Sequence, residues 1–137
     1  MAQQQQTQAE QFIEALHALE QGQEGALERI AGMFSADARL TNAALKQSGR
    51  EHSGQDGARA FWAAYRDTFG EVRSEFFQIT SNDQSAGLFW TTRGTDRSGS
   101  PLEYDGVSLL VFDSTGKISL FRGYYDTRDL TRSAAAG

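Results

Sequence analysis

The stretches WTTRG (residues 90–94), YDGVSLLVF (104–112) and GKISLFRGYYD (116–126) decide the fold, since they read as three long antiparallel strands joined by short turns. Gly99 and the sole proline, Pro101, mark a hairpin loop over residues 96–101, and a tight turn over 113–116 ends in Gly116. In the strand over 102–112, Val107, Leu109 and Val111 point one way while Leu110 and Phe112 point the other. Upstream, residues 72–80 also alternate with period two. Ser74, Phe76 and Gln78 take one side and Glu75, Phe77 and Ile79 the other. Ser81, Asn82 and Asp83 then supply turn chemistry before a strand over 86–95.

Before Gly70 the apolar spacing is helical. Phe12, Ile13, Leu16 and Leu19 form one stripe, with Glu14, Glu20 and Gln21 on other faces, until Gly22 interrupts. Leu27, Ile30, Ala31 and Phe34 form a second stripe ended by residues 35–37, and residues 38–42 suit a short strand before a polar, glycine-punctuated loop over 46–54. Ser53 and Asp56 resemble a capping box opening a third helix, whose stripe is Ala58, Phe61, Trp62, Tyr65 and Phe69. Three short helices followed by a meander of strands predict an α+β domain, with the helices packed on one face of a curved sheet. They cannot cover both faces. Phe77, Ile79, Trp90, Leu120 and Tyr124 are therefore expected to form an outer apolar surface buried in a homodimer.

A chain of 137 residues, 39% hydrophobic, suits one domain, expected over residues 9–132, with a disordered polar head over 1–8 and a frayed tail over 133–137. The net charge of −5, from 18 acidic and 13 basic residues without a basic cluster, offers no footprint for nucleic acid or an anionic membrane surface. There is no cysteine for a thiolate site, and His17 and His52 lie far apart, so no metal or other cofactor is implied. With neither a signal-peptide pattern nor an apolar run long enough to span a bilayer, a cytoplasmic protein is expected.

Alternation with Phe89 and Thr91 places Arg93 toward the helices, where it would anchor a carboxylate, enolate or phenolate or else pair with Asp105. Asn42, Gln78, Tyr104 and Ser108 could orient a small-molecule ligand, or bond one another. Trp62, Tyr65, Phe76, Phe121 and Tyr125 would line an aromatic cavity, or simply be core. His17 reads as a helix-flank residue, His52 as a solvated loop histidine, and Asp126 as a cap on a C-terminal turn containing Asp129.

The order of elements, with FSAD (34–37), GARAFW (57–62), YDG (104–106), GKI (116–118) and YYD (124–126), resembles the SnoaL-like branch of the nuclear transport factor 2 superfamily over most of the chain. The resemblance implies a cone-shaped α+β barrel, three N-terminal helices on a strongly curved, mostly antiparallel sheet, with an apolar pocket and commonly a dimer. It also implies polyketide cyclases, ketosteroid isomerases, limonene epoxide hydrolases, or members that only bind or dimerise. The ketosteroid isomerase base, tyrosine and protonated acid fall at Asn42, Ala15 and Ser108. Of the epoxide hydrolase set, Asn42 and Arg93 are kept, while Leu40, Thr95 and Gly123 replace the tyrosine and both aspartates. Arg93 and Asn42 remain the candidates for polarising a bound oxygen. An enzyme acting on a carbonyl or hydroxyl compound and a non-catalytic ligand-binding or dimerising scaffold both stay open.

Overall fold

The computed structural model describes residues 2–43 and 51–126. Helices α1 (Ala2–Glu20) and α2 (Ala26–Ala31) precede strand β1 (Phe34–Asn42) and a short β2 (His52–Ser53). Helix α3 (Gly54–Asp67) leads into four strands: β3 (Phe69–Ser81), β4 (Ser85–Asp96), β5 (Pro101–Phe112) and β6 (Ile118–Tyr125). They form one six-stranded sheet in the order β2-β1-β6-β5-β4-β3. Every pair is antiparallel except β1 with β6, where Phe34 sits opposite Ile118 and Leu40 opposite Phe121. The expected α+β class and meander are therefore present.

The elements follow from local chemistry. In α1, Phe12, Leu16 and Leu19 are buried against the sheet, and each such side chain contributes about 1.5–3 kcal/mol by leaving water. The glutamine-rich head, expected to be disordered, instead forms the first turns of α1. Gln5 is buried there, and Gln8 Nε2 donates to the Gly116 carbonyl at 2.8 Å. Gly116 needs its positive φ of 87° to close the β5–β6 turn, where the Asp113 carboxylate accepts from the N–H groups of Thr115 and Lys117. The expected frayed tail and Asp129 lie outside the described residues. Phe34, expected to end α2, starts β1 and is fully buried, so the strand begins four residues earlier than the alternation at 38–42 suggests. Ser53 does occupy the N-cap of α3, but its side chain makes no capping bond and Asp56 pairs with Arg59 instead.

One irregularity redirects the sheet's alternation. Between Phe76 and Gln78 the β3–β4 register slips by a bulge, so Phe77 and Gln78 both face outward and Ile79 turns in to pack on the core. In β4 the buried residues are Ala86, Leu88, Trp90 and Thr92. Ile79 and Trp90, expected on the outer surface, thus belong to the inner face. Phe77 and Tyr124 do lie outside, 67% and 42% exposed, beside partly buried Phe89, Val107, Leu109 and Leu120.

Candidate functional site

The concave face of the sheet and the helices α1 and α3 enclose a cavity of about 50 Å³. Its walls are mainly aromatic. Trp62 on α3 is the hub, with ring centroids 5.7 Å from Phe12, 4.8 Å from Phe61, 5.0 Å from Phe121 and 5.6 Å from Tyr65. A second group, Trp90, Tyr104 and Tyr125, closes the other side with centroids 5.4 and 5.3 Å apart. Since a water molecule needs roughly 10–15 Å³, this void holds a few waters or a ligand fragment, well below the roughly 300–1,000 Å³ of drug-sized pockets. The rings serve as core and as lining at once: Trp62 and Phe121 are buried, while Phe76 and Tyr125 are half-buried.

Polar groups punctuate the wall at two places. Toward β1, Asn42, Gly123 and Ser108 are aligned across β1, β6 and β5, and all three line the cavity. There Trp90 Nε1 donates to Ser108 Oγ at 2.9 Å. The Trp62 Nε1–H is buried and has no hydrogen-bond acceptor. A donor so placed costs stability until water or a ligand reaches it.

The second polar group is built around a carboxylate. Glu20, the last residue of α1 and only 5% exposed, accepts from the Tyr65 hydroxyl at 2.7 Å and from the Ser74 hydroxyl at 2.6 Å on Oε2. Its Oε1 accepts the Ser74 backbone N–H at 2.9 Å. Ser74 Oγ is in turn 2.7 Å from Thr92 Oγ1, and both residues are buried. His17, one turn earlier on α1, places Nε2 2.9 Å from the Ser74 carbonyl and its ring against Phe76. Burial first, then the Glu20 charge, pushes the Tyr65 phenol well above its ordinary pKa, and burial first, then Tyr125 and Glu20, does the same to Tyr104. Both therefore stay neutral hydroxyls at physiological pH. Glu20 was missed among the candidates, although the signal was present: Phe12, Leu16 and Glu20 follow one another at i, i+4, i+8, so the acid continues the apolar row.

The candidate residues separate cleanly. Asn42, Trp62, Tyr65, Phe76, Tyr104, Ser108, Phe121 and Tyr125 all line the cavity. Arg93 does not: its parity follows Phe89 and Thr91, but that side of β4 is the outer one. There its side chain is 51% exposed, with Nε 2.8 Å from Glu103 and Nη1 3.3 Å from Glu75. These carboxylates hold its pKa further above an already high value. Arg93 cannot anchor an anion in the cavity, nor does it pair with Asp105, which accepts from Thr91 at 2.6 Å. Gln78 is turned out by the bulge. Asp96 caps the β4–β5 hairpin through Ser98 and Ser100, whose hydrogen bonds lower its pKa. His52 lies in β2 with its ring 6.0 Å from Phe61, rather than in a loop. Among the described residues no three metal-ligating side chains come together, and no helix is long and apolar enough to cross a membrane.

Meander, parallel closing strand, and helices over a concave face define the nuclear transport factor 2-like cone. The model for the SnoaL-like domain matches residues 9–121, and the chain belongs to that family. Solved structures agree on the fold. An NTF2-like protein of unknown function from Burkholderia pseudomallei K96243 is 19% identical, with a TM-score of 0.79 over 94% of this chain and 95% of that one. Another from Exiguobacterium sp. 255-15 is 16% identical, with a TM-score of 0.73 over 88% and 98%. A Kribbella flavida DSM 17836 protein, provisionally described as a ketosteroid isomerase, is 18% identical, with a TM-score of 0.70 over 91% of this chain and 79% of that one. No match was found among curated proteins.

Proposed function

We propose that this protein binds a small, largely apolar molecule in the cone cavity and works as a homodimer joined through its outer sheet face. The observation that carries the first part is an aromatic void whose polar groups sit at two defined places while its walls stay apolar, the pattern of a ligand site. A single-ring ligand fits once half-buried Phe76 or Tyr125 shifts. The positions of the ketosteroid isomerase carboxylates correspond to Asn42 and Ser108, so the reading is of a binding site, with turnover requiring Glu20 as the one carboxylate among the described residues buried beside the cavity.

The test is a thermal-shift screen of small aromatic and terpenoid compounds against the protein and Gly123→Leu. A Cβ at Gly123 meets Asn42 Cβ at 3.4 Å and a Phe121 ring carbon at 3.7 Å, ordinary contacts, so the strand accepts a Cβ there and the rest of the leucine is directed at the void that Gly123 lines. A compound at 100 times its Kd stabilises by about 2.7 kcal/mol. Shifts seen with the protein and lost in Gly123→Leu support the reading; no shift with any compound overturns it.

Exposed Phe77 and Tyr124 support the dimer, as does Arg122, which sits between Thr41 and Leu109 on the outer face with a buried Nε lacking a hydrogen-bond partner. Sedimentation should show a dimer that Tyr124→Glu dissociates. A monomer at micromolar concentration refutes it.

A further inference from the structure

The hydrogen bonds around Glu20 run in one direction, and that direction reaches the cavity. A hydroxyl has one proton to give. Ser74 gives its proton to the Glu20 carboxylate, as does Tyr65, at 2.6 and 2.7 Å. Only lone pairs then remain on Ser74 Oγ for its 2.7 Å bond with Thr92, so Thr92 must be the donor there. The Thr92 proton is thereby committed, and its oxygen, in the cavity wall, presents lone pairs alone. Opposite Thr92 in the β4–β5 register stands Tyr104, another lining residue, whose hydroxyl has no partner among the described residues. That phenol stays protonated and remains free to donate.

We infer that this end of the cavity is a receptor for a neutral hydroxyl group, selecting alcohols and phenols and rejecting carboxylates. A ligand hydroxyl can donate to Thr92 and accept from Tyr104. A ketone satisfies Tyr104 alone and leaves the Thr92 lone pairs unmet. A carboxylate sets lone pairs against lone pairs, with the Glu20 charge two hydrogen bonds behind them, and a buried like-charge contact is costly. The inference rests on the cavity being a ligand site, as proposed above, and names the ligand class it takes. It reverses the anion preference that an inward Arg93 would have given.

The protein's own two tryptophans report on the cavity, because Trp62 and Trp90 both line it. Phenol, benzaldehyde, benzoate and toluene are matched single-ring probes: donor and acceptor, acceptor only, anion, and neither. Titrating each against the indole N–H resonances should rank phenol first, about 3–10-fold tighter than benzaldehyde, the factor set by the one hydrogen bond to Thr92 that the aldehyde cannot make. Benzoate should bind more weakly than toluene. Thr92→Val should bring phenol down to benzaldehyde's affinity, since both then only accept from Tyr104, while toluene itself is unaffected, and Thr92→Ser should restore the difference.

Glu20→Gln supplies a readout that a merely structural role cannot mimic. The amide NH₂, in place of Oε2, must donate to Tyr65 and Ser74. Ser74 then donates to Thr92, and Thr92 turns its proton into the cavity, moving the preference from phenol toward benzaldehyde. Benzoate binding as well as phenol, or a preference for phenol over benzaldehyde that survives Thr92→Val, overturns the inference. Toluene binding without any hydroxyl preference sinks it while leaving the ligand site intact. Silence from all four probes sinks the ligand site as well.

Discussion

Ser74→Ala is the sharpest test of how the interior is held together. Ser74 is 3% exposed, and its Oγ is the junction between the Glu20 carboxylate at 2.6 Å and Thr92 at 2.7 Å. Deleting it removes one charge-assisted bond, roughly 1.5–3 kcal/mol, and one neutral bond, roughly 0.5–1.5 kcal/mol. Glu20 keeps Tyr65 and the Ser74 backbone N–H, and no large void is left, so the expected loss is about 2–4 kcal/mol. For a domain of this size that is a fall in Tm of roughly 10 °C. A matched control is available on the surface. Ser98 Oγ also donates to a carboxylate, Asp96, at 2.7 Å, but in an exposed hairpin where water replaces the lost bond. Urea unfolding followed by tryptophan fluorescence should show a clear drop in midpoint for Ser74→Ala, an unchanged slope, and no resolvable change for Ser98→Ala. Equal effects in the two variants would refute the claim that burial, rather than bond length, decides the contribution.

Alkaline pH should destabilise the fold through its neutral phenols. Tyr65 and Tyr104 have pKa values raised above the ordinary 10.0 in the folded state, so their stability is fully present below about pH 10 and is lost as the unfolded tyrosines ionise above it. The loss should reach about 1.4 kcal/mol per pH unit for each tyrosine, and Tyr104→Phe should roughly halve it in urea titrations at successive pH values. Gly106→Ala places a Cβ against Cη2 and Cζ2 of Trp90 and 2.6 Å from the Tyr124 carbonyl, so it should cost about 1–3 kcal/mol and shift the Trp90 emission. An unchanged emission spectrum would mean that Trp90 does not rest on that glycine. Arg93→Ala should leave ligand affinity unchanged, since its carboxylate partners are on the outer face; titration with any cavity ligand checks this.

The element order and the antiparallel meander were legible because the hydrophobic period changes from helical to two after Gly70 and the turns carry Gly, Asn and Asp. The cavity lining was readable on β5 and β6, where alternation runs unbroken through Tyr104, Ser108, Phe121, Gly123 and Tyr125. It failed on β3 because one bulge turns Gln78 outward and Ile79 inward, and a bulge has no fixed sequence mark here. Arg93 failed for a different reason. Phe89 is an aromatic residue on the outer side of β4, so judging the inner side by its apolar members chose the wrong parity, whereas Leu88, Trp90 and Thr92 mark the correct one. Glu20 was hidden by its charge. A carboxylate on an apolar helical row reads as solvent-facing until the donors of β3 and α3 that meet it are placed in space.

The parallel pairing of β1 with β6 also orders events during synthesis. On one side β1 has only the two-residue β2, and its long neighbour is the last strand described. A growing chain released up to the end of β5 therefore carries two unsatisfied sheet edges, one on β1 and one on β5, and either can pair with another nascent copy. Closure of these edges waits on the joining of distant segments, a slow step, because the entropy of the intervening chain is lost before the contacts form. The state in which β5 is exposed and β6 has not yet joined β1 should thus be the point of greatest aggregation risk.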